Sequence, residues 1–206
     1  RFNQVSPFSL LCLFIQSNSK QTMSDPVIER ALISVSDKQG LSDIAQLLND
    51  LNIEILSTGG TKNHLDNAAI NAIDIAEYTE FPEMMSGRLK TLHPRVHGGI
   101  LCRHDRPDEI EAMQLHGILK IPLIIVNLYP FEETIAREDA TLEMAIENID
   151  IGGPTMIRAA AKNYLFTTVV TSPDQYSEVA EQIKKQGSTT LALRKKLAYE
   201  AFKKTA

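Results

Sequence analysis

An α/β domain, a parallel β-sheet covered by helices, is the fold class that the sequence predicts, on three observations. From Arg30 onward, short β-branched runs alternate with stretches of helical spacing, as they do when crossover helices join parallel strands. Each run is short and apolar. Loops rich in glycine, serine and lysine follow several of them, and the strand-to-helix loops are where such a sheet binds its ligands.

The elements are expected in this order. A strand at 31–35 (ALISV) leads to a helix at 40–51 (GLSDIAQLLNDL), and a strand at 53–57 (IEILS) to a helix at 61–68. A third strand is read at 72–75 (AIDI), a helix at 107–116, a fourth strand at 123–128 (LIIVNL) and a helix at 141–148. Pro154 then marks a helix over 154–163, because proline suits the first helical position, where its missing N–H costs nothing. A strand at 167–171 (TTVVT) and a helix at 174–186 follow. At 188–204, Leu191, Leu193, Leu197, Ala198, Ala201 and Phe202 stand among Arg and Lys residues, the pattern of an amphipathic helix and one that could lead into a further domain.

Bulk properties narrow the function. The 206 residues are 43% hydrophobic, enough to bury one sizeable core, so one domain with appendages is expected. A net charge of −5 and no long basic run argue against nucleic acid as a partner, so any anion must be held by a local cluster. Cys12 and Cys102 are the two cysteines. They cannot build a disulfide framework or a four-thiolate zinc site, and a reducing compartment, the cytosol, is the simplest setting. Segment 8–15 (FSLLCLFI) is too short to span a bilayer, so no membrane partner is expected. It has no small-residue cleavage site after it, which ranks a signal peptide last. Residues 1–22 are read as a disordered extension, with upstream translation, an expression remnant and an organelle-targeting leader all open. The domain proper starts at Met23 and runs to 206.

Five stretches carry candidate chemistry. SVSDKQG (34–40) offers the hydroxyls of Ser34 and Ser36 and the cation of Lys38, and STGGT (57–61) offers two glycines that let backbone approach an anion closely. SGRLKTLHPRVHGGIL (86–101) sets Arg88 and Lys90 beside a glycine, with Pro94 blocking helix continuation, and reads as an anion-gripping loop. His93 and His97 invite a metal reading, but the proline disfavours one helical face for them and no carboxylate or thiolate completes a zinc site, so structural histidines are the better reading. VNLYPF (126–131) ends a strand at Asn127 and Tyr129, the tyrosine being either core or pocket wall. NIDIGGPTMIRAAAKNY (148–164) raises a question of polarity. A helix apolar on nearly every side from Met156 to Ala161 also carries Arg158 and Lys162, and Asp150 precedes its glycine turn.

In this order, SVSDK, STGGT, GRLKTLHP, VNLYPF and DIGG…RAAAK resemble the inosine monophosphate cyclohydrolase domain that forms the amino-terminal part of the bifunctional purine biosynthesis protein. The resemblance runs from Arg30 to the end and implies a methylglyoxal-synthase-like fold, three layers with a central parallel sheet between helices. It implies ring closure of 5-formamidoimidazole-4-carboxamide ribotide to inosine monophosphate and water, without metal or organic cofactor. Nucleotide contacts are implied at Ser36, Asp37 and Lys38, with Ser34 beside them; at Thr58, Gly59, Gly60 and Thr61; at Arg88, Leu89, Lys90 and Thr91; at Val126 and Asn127; and at Asp150, Ile151, Gly152 and Gly153. Thr58 stands where some relatives have Ser.

The roles implied are a proton acceptor at Asp150 and a cation at Lys162 for the formyl oxygen, with Lys90 and Tyr129 lining the base. Which of Lys90 and Lys162 transfers the proton stays open. Lys162 is expected to be kept dry on its packed helix, and Arg158 is expected to order the fold through a nearby carboxylate. The family is commonly a homodimer and usually carries a formyltransferase domain after this one. The chain ends at Ala206, so formyltransferase activity is not expected of it alone. A methylglyoxal synthase would have no need for DIGG…K, and a regulatory module of the same fold would leave Lys90, Tyr129, Asp150 and Lys162 together unexplained.

Overall fold

The computed structural model describes residues 25–129, 131, 136 and 139–206; the extension expected at 1–22 lies outside them. Five parallel strands form one sheet: β1 (Arg30–Ser34), β2 (Glu54–Ser57), β3 (Ile73–Asp74), β4 (Leu123–Val126) and β5 (Thr168–Val170), in the order β3-β2-β1-β4-β5. The register pairs Leu32 with Leu56 on one side and with Ile124 on the other. Ala31, Leu32 and Ile33 and all of Leu123–Val126 are buried, because these inner strands are covered on both faces.

The helices are α1 (Leu41–Asp50), α2 (Gly59–Asn67), α3 (Ile75–Thr79), α4 (Pro94–Leu101), α5 (Pro107–Leu115), α6 (Leu142–Glu147), α7 (Gly152–Lys162), α8 (Tyr176–Gln186) and α9 (Leu191–Lys204). Amphipathic spacing explains α1, whose Leu41, Ile44, Ala45 and Leu48 are the buried positions. The α9 helix belongs to the same core: Leu193, Leu197, Ala198 and Ala201 are buried in it. Its Arg194, 3% exposed, donates to the Tyr164 carbonyl at 2.9 Å and pairs with Asp25 at 3.0 Å, which satisfies the buried guanidinium.

Two elements differ from expectation. The third strand holds only Ile73–Asp74, because the Asp74 carboxylate accepts from Ala76 N at 2.8 Å and so caps α3. The stretch 94–101, read as loop on account of Pro94, is the helix α4. Pro94 occupies the first turn, where proline is tolerated, and His93 caps it, Nδ1 accepting from Arg95 N at 3.1 Å. Proline here starts a helix instead of stopping one.

A partly buried imidazole makes the fold acid-sensitive. His104 lies against Phe166 with ring centroids 5.0 Å apart. Burial, with Lys120 adding to it against Asp105, pushes its pKa from 6.5 down to about 4. As pH falls through that window the unfolded chain binds a proton that the folded chain refuses, so stability present above pH 6.5 is lost toward pH 4. His97, also pushed down by burial, acts in the same direction. In thermal melts between pH 7 and 4.5, His104→Gln should show a shallower fall in Tm than the parent; parallel curves would show that His104 carries none of it.

Candidate active site

The strand order reverses between β1 and β4, and the crevice at their carboxyl ends is the position where an open α/β sheet binds ligands. A cavity of about 910 Å³ opens there. It is lined by Ser34, Ser36 and Lys38 after β1, by Thr58, Gly59, Gly60 and Thr61 after β2, by Val126, Asn127 and Tyr129 after β4, and by Arg88, Lys90, Thr91, Asp150, Ile151, Gly152 and Gly153. One cavity thus gathers all the expected residues except Asp37, Leu89 and Lys162.

Asn127 fixes the loop after β1. Its side-chain oxygen accepts from the backbone N–H groups of Ser36 and Asp37 at 2.7 and 3.0 Å, and its amide donates to the Asp37 carbonyl at 2.9 Å. The Ser36 hydroxyl donates within the same knot, to Asn127 and the Leu128 carbonyl, both at 2.9 Å. Thr61, 3% exposed, donates to the Val35 carbonyl and accepts its N–H, each at 3.0 Å. Ser36 and Thr61 therefore brace the loops. The Asp37 carboxylate turns away into a local turn with Gln39 N, which explains its place outside the cavity.

An anion cradle is built on the start of α2. The helix presents its free N–H groups at Gly59 and Gly60, where the positive end of its dipole also lies. Gly59 has φ +55, and a Cβ there would stand 3.1 Å from the Lys90 ammonium; at Gly60 the space is open. Thr58 is the N-cap, yet its side chain makes no capping bond. Lys38 leans over from β1, its ammonium 3.4 and 3.3 Å from the carbonyls of Val35 and Ser36. Such a pairing of free amides with a flexible cation suits a phosphate.

The 83–90 segment is a tight hairpin. Met84 and Leu89 exchange backbone bonds at 3.0 and 3.2 Å, and Leu89 does not line the cavity. Between them Met85, Ser86 and Gly87 hold φ of 56, 55 and 89°. Two non-glycine residues in the left-handed region cost on the order of 1–2 kcal/mol each, strain that collects at functional loops. Both cations expected to grip an anion are already paired: Arg88 with Glu147, and Lys90 with Glu83 at 2.5 Å. Glu83, Glu147, Ile146, Ile149 and Met156 also line the cavity and were not read from the sequence.

Asp150 sits ahead of α7, its Oδ1 accepting from Gly153 N at 2.8 Å, so the carboxylate caps the helix. A Cβ at Gly153 would come within 2.4 Å of Asp150 Oδ2, and one at Gly152 within 2.8 Å of the Thr91 hydroxyl. The glycine pair is what lets Asp150 and Thr91 close on the helix start. Tyr129 is 59% exposed, hence pocket wall and not core.

Lys162 is found elsewhere. It closes the last turn of α7 and is exposed, so the dry surroundings expected for it are not found. The 11 residues of α7 rise about 16 Å at 1.5 Å each, which carries Lys162 to the helix end opposite Asp150. Arg158, expected to order the fold through a nearby carboxylate, is exposed and instead donates to the Thr205 carbonyl at 3.2 Å, with the Phe202 ring centroid 5.6 Å away. Among the described residues no three His, Cys, Asp or Glu side chains gather to hold a metal ion, and no helix is long and apolar enough to cross a membrane.

Known proteins resemble this chain in sequence and fold. Residues 40–155 match the MGS-like domain family and residues 160–206 the AICARFT/IMPCHase bienzyme family. The chain is 54% identical over 178 residues to the bifunctional purine biosynthesis protein PurH of Streptococcus mutans, covering 86% of this chain. It is 52% identical over 178 residues to PurH of a Thermoanaerobacter species, again over 86% of this chain. In both cases it spans 35% of the relative's length. A solved structure described as "Crystal structure of ForH" superposes with a TM-score of 0.75 at 32% identity, over 87% of this chain and 93% of that one.

Proposed function

The chain belongs to the MGS-like domain family and is similar to the bifunctional purine biosynthesis protein PurH over 35% of that protein's length, and from that premise we propose that it is an IMP cyclohydrolase. The substrate is 5-formamidoimidazole-4-carboxamide ribotide and the products are inosine monophosphate and water. One observation carries this reading: a phosphate cradle at the start of α2 and a carboxylate at the start of α7 face a single cavity that also takes a lysine. A nucleoside monophosphate fits a site of that size, with its charge at one end and its base at the other.

The carboxamide nitrogen is a poor nucleophile, so its attack on the formyl carbon needs a base. Asp150 takes one N–H proton as the new C–N bond forms. Lys90, which lines the cavity together with Lys38, neutralises and protonates the formyl oxygen. The C–O bond then breaks, the hydroxyl leaves as water with a further proton, and loss of the remaining proton from the former formamide nitrogen leaves the C=N bond of the purine. Atoms and electrons balance without a redox partner, so no cofactor is invoked. For Lys162 to take part it would have to reach the base from outside the cavity of its own chain.

A methylglyoxal synthase would take its catalytic Asp from the loops after the early strands, and a phosphate-effector module would use the cradle alone, so both leave Asp150 with its capping bond but no chemical task. The test is to incubate the purified chain with the formylated ribotide and follow ultraviolet absorbance for the purine, then to repeat with dihydroxyacetone phosphate. Purine formation supports the reading; methylglyoxal formation, or binding with no chemistry, would overturn it. The expected setting is the cytosol, where Cys102, a buried free thiol, stays reduced.

A homodimer is part of the proposal. Its support is the resemblance to a family that is commonly dimeric; the exposed Ile146, Ile149 and Ile151 line the cavity itself and are no sign of a pairing surface. Sedimentation at micromolar concentration should give the mass of two chains; a single-chain mass throughout would contradict it.

A further inference from the structure

The ion pair between Glu83 and Lys90 crosses the neck of the 83–90 hairpin. Because Met84 bridges Leu89, the residues just outside that bridge, 83 and 90, come face to face, and the side chains meet at 2.5 Å. Gly87, at φ +89, leaves room for this: a Cβ there would stand 3.0 Å from Glu83 Oε1. On its other side the same ammonium lies 3.1 Å from where a Cβ of Gly59 would be. Lys90 is therefore poised between a carboxylate and the mouth of the anion cradle.

We propose that Glu83 is a positioning residue that holds the Lys90 ammonium away from the bound phosphate and so keeps it for the reacting base. This rests on the cyclohydrolase reading above. Lysine has a flexible four-carbon stem and a compact charge. A phosphate seated on α2 would attract that charge strongly in a partly desolvated cavity. Without a competing carboxylate the ammonium settles on the phosphate, where it strengthens ground-state binding and does nothing for ring closure. Uniform binding of that kind lowers Kd without raising kcat.

The signature is a split between affinity and turnover. Glu83→Gln removes a negative charge from a cavity that receives a dianion and frees Lys90, so inosine monophosphate should bind about threefold more tightly, the scale of one partly exposed ion pair. Turnover should fall about tenfold as the cation leaves the formyl oxygen. Glu83→Asp, which keeps the charge on a shorter stem, should recover most of both values. Calorimetry with inosine monophosphate and the absorbance assay read the two arms separately. Weaker binding together with slower turnover in Glu83→Gln, as a collapsed hairpin would give, overturns the proposal, and so do unchanged values in both arms. If the parent closes no ring at all, the cyclohydrolase reading falls, while the binding arm still decides whether Glu83 restrains Lys90.

Discussion

Asp150→Asn should abolish nearly all ring closure, lowering kcat by about a thousandfold, within the range for loss of a positioned acid or base, while inosine monophosphate still binds within a few-fold of the parent. Asparagine can still accept the Gly153 N–H bond that Asp150 makes at 2.8 Å, so the turn into α7 should survive. What disappears is the capacity to take a proton from the carboxamide nitrogen. The phosphate contacts at α2 are untouched, and the loss should fall on kcat and on kcat/KM to the same extent. Comparable turnover in the two proteins would remove Asp150 as the base.

Gly99→Ala should be the most destabilising single methyl group added near the site. A Cβ at Gly99 would stand 2.4 Å from the Leu119 carbonyl oxygen and 2.8 Å from Ile121 Cγ1. The first of these is backbone and cannot swing aside. The two segments are also tied, Ile121 N donating to the Gly99 carbonyl at 2.9 Å, while Asn163 and Thr167 hold the Ile100 carbonyl at 2.8 and 3.0 Å. The helix α4 is thus clamped at one end, and at the other it receives the chain from Lys90 and Thr91. A cost of about 3 kcal/mol, the upper end for overpacking, corresponds to a Tm lower by roughly 6–12 °C for a chain of this size. A change of about 1 °C or less would show that the contact relaxes freely.

The sheet was legible because its inner strands are short apolar runs with a loop motif at each carboxyl end. The site was legible for the same reason: SVSDK, STGGT and VNLYPF each stand where a parallel strand gives way to a loop, so placing the strands brought their residues together. What could not be read depends on geometry that sequence spacing conceals. Pro94 both breaks and begins helices, and only the His93 cap decides which it does here. Glu83 meets Lys90 because two left-handed residues fold the hairpin, and only Gly87 advertises such a backbone in the sequence. Glu147 meets Arg88 because α6 packs over that hairpin's cavity, a tertiary fact. The motif DIGG…K presents Asp150 and Lys162 as a pair, yet the regular rise of the helix between them drives the two apart.

The most direct measurement is a crystal structure of the chain with inosine monophosphate bound. The phosphate is expected on the N–H groups of Gly59, Gly60 and Thr61, with the six-membered ring of the purine between the Asp150 carboxylate and the Lys90 ammonium. A nucleotide seated in that crevice with its base turned away from both side chains, or bound in another part of the molecule, would contradict the assignment.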